Sequence, residues 1–178
     1  GGDNYDIPSL YDVVRMIRHA KSDSAVKGIY IKCDANPNGF ANSDEIRNAI
    51  IDFKSGGKFE CAYADVITQG GYFVGNCADK LYCNPKGGVD WRGYAVQLAF
   101  VKGLLQKLEI EPQIFYAGQF KRASEPLRET EMTDPNRLQL TELLNDLYSH
   151  FLIQTSASRK IDTATLHKLA NEQTIQFA

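Results

Sequence analysis

Short β-branched and aromatic runs alternate in this chain with segments whose apolar residues recur at helical spacing, and that alternation most narrows the folds open to it. Ser9 and Asp12 make a capping pair for a helix from Leu10 to about Lys21, with Leu10, Val13, Val14 and Ile17 on one face. Val26–Cys33 (VKGIYIKC) reads as a strand, and Asn36-Pro37-Asn38-Gly39 is dense turn chemistry. Asn42 or Ser43 is the expected cap of a second helix carrying Ile46, Ala49, Ile50 and Phe53, closed by Gly56-Gly57. Phe59–Ala64 is a second strand, Tyr72–Ala78 a short buried helix, and Lys80–Cys83 a third strand ended by Asn84-Pro85. Gly87-Gly88 and Gly93 flank a short extended piece.

Val96, Ala99, Phe100, Gly103, Leu104 and Lys107 trace one side of a further helix, and Gln113–Ala117 reads as strand four. A polar loop runs from Gly118 to about Pro135, and a long helix from about Asn136 to Lys160 carries Leu140, Leu143, Leu144, Leu147, Tyr148 and Phe151. A last short helix starts near Asp162-Thr163. Strands alternating with helices imply an α/β fold with mostly parallel pairing. At 178 residues the chain is expected to form a single domain.

Composition removes several classes of function. With 43% hydrophobic and 24% charged residues, the chain has the balance of a globular protein. Twenty Lys and Arg against 22 Asp and Glu give a net charge of −2, which leaves no basic excess to neutralise a phosphate backbone and argues against a nucleic-acid partner. No apolar stretch approaches the roughly 18–20 residues of a membrane span. The ends, Gly1-Gly2 and Gln176-Phe177-Ala178, read as those of an excised piece, which leaves room for an anchor or second domain outside it.

Cys33, Cys61, Cys77 and Cys83 show no C-x-x-C spacing and none lies near His19, His150 or His167 in sequence, which argues against zinc. Cys33 and Cys61 fall in apolar runs and read as buried small hydrophobes; the even count permits disulfides without requiring them. The histidines read as ordinary helix residues. Glu129 with Glu131, and Asp44 with Glu45, read as surface and capping charges. No G-x-S-x-G elbow, P-loop or G-x-G-x-x-G pattern is present.

Three places could carry chemistry: the loop Gly118–Pro126, the segment Gln69-Gly70-Gly71 joining a strand to a helix, and Pro37-Asn38-Gly39 beyond another strand. Gly-Gly before a helix is suited to an oxyanion but is more commonly turn or packing geometry. Lys121 is bracketed by Phe120 and Ala123, apolar neighbours that could lower a lysine pKa toward neutrality. An ion pair with Glu125 would oppose that. Pro126 biases Glu125 toward extended backbone, away from helical pairing.

The wording of three segments, SLYDVVRMIRHAKSDSAVKGIYIK, TQGGYFVGNCADKLYCNP and GQFKRASEPLRETEM, resembles the signal peptide peptidase A (protease IV) family of serine–lysine proteases, in particular the amino-terminal half of its long duplicated form. The resemblance covers nearly the whole chain, and the loop with Lys-x-Ala-x-Glu-Pro is its most specific part. It implies a Clp protease/crotonase-like fold of repeated β-β-α units. It also implies that Lys121 is the general base and that no cofactor is needed. Where that family's nucleophile precedes Gly-Gly-Tyr, this chain has Gln69 ahead of Gly70-Gly71-Tyr72, and an amide cannot attack a carbonyl as a serine does. Thr68 is one place early.

The resemblance therefore implies a chain that supplies the lysine while the carboxy-terminal half of the same protein supplies the serine. The residues 1–178 alone are expected to be inactive. Implied partners are cleaved signal peptides or other apolar peptides, the carboxy-terminal half, and further copies in a homo-oligomer. The implied location is the bacterial inner membrane, held by an anchor outside this chain, with the domain on the extracytoplasmic side. Two other readings stay open: a crotonase-like acyl-CoA enzyme, against which stands the lack of a clear CoA-contacting motif, and a non-catalytic module for substrate binding or assembly.

Overall fold

A computed structural model describes residues 8–115 and 122–172, excluding the side chain of Arg122. Helix α1 (Leu10–Ser22) begins as its capping pair requires: the Ser9 hydroxyl accepts the Asp12 N–H at 3.2 Å and donates to the Asp12 carboxylate at 2.7 Å. Strand β1 (Gly28–Lys32) leads to α2 (Phe40–Lys54), β2 (Phe59–Thr68), α3 (Gln69–Gly75) and β3 (Lys80–Asp90). Then come α4 (Lys102–Lys107), a 3-10 turn Arg122–Ser124, α5 (Glu125–Arg128), α6 (Asp134–Arg159) and α7 (Thr163–Asn171). The result is a mixed α/β chain with a small parallel sheet.

The sheet has the order β1-β2-β3 among the described residues, with both pairings parallel. Tyr30 faces Cys61, and Tyr63 faces Tyr82. Ala64 pairs with Cys83 but Val66 with Gly88, so Asn84–Gly87 bulge out of β3 and the strand resumes beyond Pro85. Gly87 allows this because a Cβ there would lie 1.7 Å from the Asp65 carbonyl oxygen. Helices cover one face, burying Cys33, Ala62, Ala64, Ile67 and Ala78 in one cluster and Ile50, Val74 and Cys77 in another. Tyr30, Phe59 and Tyr82 stay exposed.

The chain divides into two compact units. One takes the residues up to Arg92 together with those from Phe151 onward; the other is Gly93–His150. In the first, Arg47 of α2 is wholly buried and ties three helices together. Its guanidinium donates to the Phe73 carbonyl at 2.6 Å, Asn76 Oδ1 at 2.5 Å, the Gln154 carbonyl at 2.8 Å and the Ser158 hydroxyl. Asn76 in turn donates to Thr155 Oγ1 at 3.0 Å, and the aromatic rings of Phe73, Tyr72 and Trp91 pack around Phe151. In the second unit, Tyr94 and Tyr148 meet edge to face with ring centres 6.4 Å apart.

Several expectations change. Helix α2 starts at Phe40 with Gly39 as its cap. Ser43, an expected cap, is buried inside it and donates to the Gly39 carbonyl at 3.0 Å. Strand β2 runs on to Thr68, because its pairing with Gly88–Asp90 continues beyond the bulge. The apolar pattern from Val96 yields helix only over Lys102–Lys107; the Val101 N–H is instead taken by the Pro126 carbonyl at 2.9 Å. Residues 113–115 form no strand, and the rest of the expected fourth strand, 116–117, lies outside the described residues. Glu125 is helical despite preceding a proline, as the first residue of α5. Leu143, expected on the inward face of the long helix, is exposed.

Candidate functional site

Two of the three candidate segments meet at the carboxyl end of the sheet. The loop after β1 and the start of α3 after β2 are tied by Thr68 N–H to the Asp34 carbonyl at 3.1 Å and by Asn36 Nδ2 to the Gly70 carbonyl at 3.3 Å. Asn36 is the organiser here. Its amide nitrogen also donates to Ser43 Oγ at 2.8 Å, and its Oδ1 accepts from both the backbone N–H and the side chain of Asn38. No sequence signal singles out Asn36 beyond its place in a turn.

The glycines of this corner are needed for close packing. A Cβ on Gly71 would sit 2.1 Å from the Cys33 carbonyl oxygen, and one on Gly70 would sit 3.3 Å from that of Asn36. Helix α3 can therefore reach the end of β1 only with glycine at 71. The Gly71 N–H is already used, donated to Thr68 Oγ1 at 3.1 Å, so Thr68 serves as the helix cap. Gln69 is the first residue of α3, and its Oε1 accepts the Arg92 N–H at 3.1 Å. Both side chains thus have structural partners.

Nucleophiles are scarce around this corner. Burial pushes the Cys33 thiol up to about 11, and that of Cys77 likewise, so neither is a thiolate near neutral pH. The exposed Asp65 carboxyl is held below its ordinary range by hydrogen bonds from Asn84 and Tyr63, and it stays ionised. Among the described residues no group of three or more His, Cys, Asp or Glu is placed to hold a metal ion. His19, His150 and His167 all lie in helices.

The third segment belongs to the other unit. Gly118–Lys121, including the candidate base Lys121, lie outside the described residues. The rest of that motif is well defined. Glu125 is buried at 2% exposure. Its Oε1 accepts the Thr133 N–H at 2.9 Å and the Thr133 hydroxyl, and its Oε2 accepts from Asn136 Nδ2. Sequence reasoning treated Glu125 only as a possible ion-pair partner of Lys121 and missed this anchor. The hint was present in the polar residues Thr133 and Asn136, which frame the start of the long helix.

Comparison with known proteins bears on the same segments. Protease 4 of Haemophilus influenzae is 32% identical over 158 residues, covering 86% of this chain and 25% of that protein. Protease 4 of Salmonella typhi is 31% identical over 163 residues, covering 89% of this chain and 26% of that protein. The chloroplastic serine protease SPPA of Arabidopsis thaliana is 31% identical over 133 residues, covering 75% and 20%. The chain thus spans about a quarter or less of the length of these relatives. No described helix is long and apolar enough to cross a membrane. The sequence pattern of Peptidase family S49 matches residues 52–176, a span holding both the Gln69-Gly70-Gly71 corner and the Lys121–Glu125 motif, and the chain belongs to that family.

Proposed function

We propose that this chain is the amino-terminal peptidase domain of a duplicated serine–lysine endopeptidase, contributing the general base Lys121 while the carboxy-terminal half contributes the serine. The observation that carries this reading is a mismatch within one family pattern. The sequence carries the Lys-x-Ala-x-Glu-Pro motif around Lys121, yet Gln69 stands ahead of Gly70-Gly71-Tyr72, where the resemblance puts the nucleophile. The commitment of Thr68 to capping and of Gln69 to the Arg92 N–H agrees with a corner that has no attacking group. The relatives' names, Protease 4 and serine protease SPPA, favour peptide hydrolysis.

In this mechanism neutral Lys121 takes the proton of the serine as its Oγ attacks the peptide carbonyl. The ammonium form then gives that proton to the departing amine, leaving an acyl-enzyme. Lysine next activates a water molecule, whose attack frees the carboxylate product and returns the serine. The fold is of the Clp protease/crotonase type. Substrates are cleaved signal peptides or other apolar peptides. The assembly is a homo-oligomer anchored in the bacterial inner membrane, with the domain on its extracytoplasmic side.

The test is activity-based labelling. A fluorophosphonate should label the full-length polypeptide at one serine and leave this chain alone unlabelled, and a fluorogenic apolar peptide should be cleaved only by the former. Stoichiometric labelling of the isolated chain would overturn the division of labour.

A further inference from the structure

We propose that the groove beside α1 lined by Arg15, Met16, His19, Ala20 and Val26 binds a single-chain fatty carboxylate. The acyl chain lies on Met16, Ala20 and Val26, and the carboxylate meets Arg15 and His19. This inference is independent of the assignment of Lys121.

Helical spacing builds the groove. Met16 and Ala20 stand four residues apart on one ridge of α1, and Arg15 and His19 on the next, so an apolar strip and a polar strip run side by side. The chain then turns, and Val26 forms the far wall. These residues bound a volume of about 460 Å³, within the roughly 300–1,000 Å³ typical of small-molecule sites. The turn is held from within the protein. Lys58 Nζ donates to the Ala20 and Asp23 carbonyls at 2.5 Å each, the Asp23 N–H to the His19 carbonyl at 3.1 Å, and the Val26 N–H to the Asp23 carbonyl at 3.2 Å. Val26 leads into β1, so the groove lies at the amino end of the sheet, away from the glycine corner at its carboxyl end.

The lining selects the ligand. Met16 is 52% exposed and offers apolar surface for an acyl chain to cover. The exposed Arg15 guanidinium has Asp12 at 3.3 Å and the Tyr11 ring centre at 5.9 Å. A surface pair of that kind is worth little, so a carboxylate held in the groove can draw the guanidinium to itself. The exposed His19 ring can add an N–H donor. Asp23, the other acid nearby, turns its carboxylate to the Ala25 N–H at 2.8 Å. The main chain along this wall is paired within α1 and its closing turn, which leaves a peptide no edge to pair with, whereas an acyl chain needs none. Anionic membrane surfaces are instead met by clusters of about 4–8 Lys or Arg. Helix α1 carries Arg15, Arg18 and Lys21, and Lys21 is paired with Asp52 at 2.7 Å. A concave site with a short basic strip suits one chain with one charged head.

The experiment titrates decanoate into the full-length polypeptide by calorimetry, then photolyses a diazirine analogue of decanoate on it and locates the adducts by mass spectrometry. Binding should saturate, with adducts within residues 15–27. R15Q/H19Q removes the polar strip and should weaken decanoate binding by about tenfold. A20L fills the groove with a good helix former and should abolish the adducts at 15–27. Decanol, which keeps the chain and lacks the charge, should bind at least about fivefold more weakly than decanoate. Circular dichroism confirms the folding of each variant; if A20L does not fold, the exposed pair R15Q/H19Q and the decanol comparison decide. Adducts only outside residues 15–27, decanol as tight as decanoate, or a folded R15Q/H19Q within about twofold of the parent overturns the proposal. Arg15-dependent binding to phosphatidylglycerol vesicles without binding of decanoate would assign this face to a membrane surface and overturn it as well.

Discussion

Arg47 and Asn76 lie 29 residues apart in the chain, yet the guanidinium donates to the Asn76 amide oxygen at 2.5 Å where no solvent reaches either side chain. The arginine's other acceptors are the Phe73 and Gln154 carbonyls and the Ser158 hydroxyl, and its guanidinium lies 5.1 Å from the centre of the Phe73 ring. Burial pulls its pKa down from the ordinary value, but arginine remains charged near neutrality. The charge is thus solvated by carbonyl and amide dipoles, and α2, α3 and the end of α6 share it.

Arg47→Leu should lower stability by about 2–4 kcal/mol, since it leaves several buried acceptors unsatisfied at once. Urea unfolding of the two proteins under identical conditions measures this. A loss below about 1 kcal/mol would mean that water or neighbouring side chains replace the guanidinium.

Gly71→Ala and Gly39→Ala form a matched pair. The first places a methyl group 2.1 Å from the Cys33 carbonyl oxygen, whereas the second meets nothing within 4 Å. Thermal unfolding should show a loss of about 1–3 kcal/mol or more at 71, as in overpacked cores. At 39, a helix cap position, the loss should stay within about 1 kcal/mol. Equal losses would remove the packing role assigned to the Gly-Gly corner.

Glu60 makes stability depend on pH. Its side chain is 1% exposed with no well-formed hydrogen bond to either carboxyl oxygen, and burial raises its pKa from 4.5 to about 7, opposed by the charge of Lys54. The folded pKa exceeds the unfolded one, so the folded state binds the proton more tightly. No penalty applies below the unfolded value. It grows as pH rises from about 4.5 to about 7 and is constant beyond. Glu60→Gln abolishes that dependence, and its stability relative to the parent should improve by up to about 3 kcal/mol between pH 4 and pH 8. Denaturant midpoints across that range measure the trend; a flat difference would show that Glu60 does not titrate there.

Lys121→Ala in the full-length polypeptide should cut kcat on a fluorogenic peptide by about 10²–10⁴-fold, the range expected for a lost general base, with the fold intact. Retained turnover in a folded variant would move the base to another residue.

The parts legible in the sequence are those decided between near neighbours. Ser9 with Asp12 and Asp162 with Thr165 cap their helices through contacts three residues apart, which chain order alone specifies. The three strands of the sheet and the parallel α/β class follow from side-chain periodicity in the same local way. The Lys-x-Ala-x-Glu-Pro motif around Lys121 and the presence of Gln69 ahead of Gly70-Gly71-Tyr72 are also facts of sequence.

Tertiary structure decided what depends on distant partners. The helix expected from Val96 shrinks to Lys102–Lys107 as Pro126 captures the Val101 N–H, and β2 reaches Thr68 because β3 resumes its pairing after a bulge. Nothing local marks Arg47 for burial, Gly71 for contact with Cys33, or Glu125 for the start of α6. A buried charge or a close backbone approach is stable only when groups far along the chain arrive to complete it. Sequence thus determined the family and the residue types available for chemistry, and packing determined which of them act as anchors.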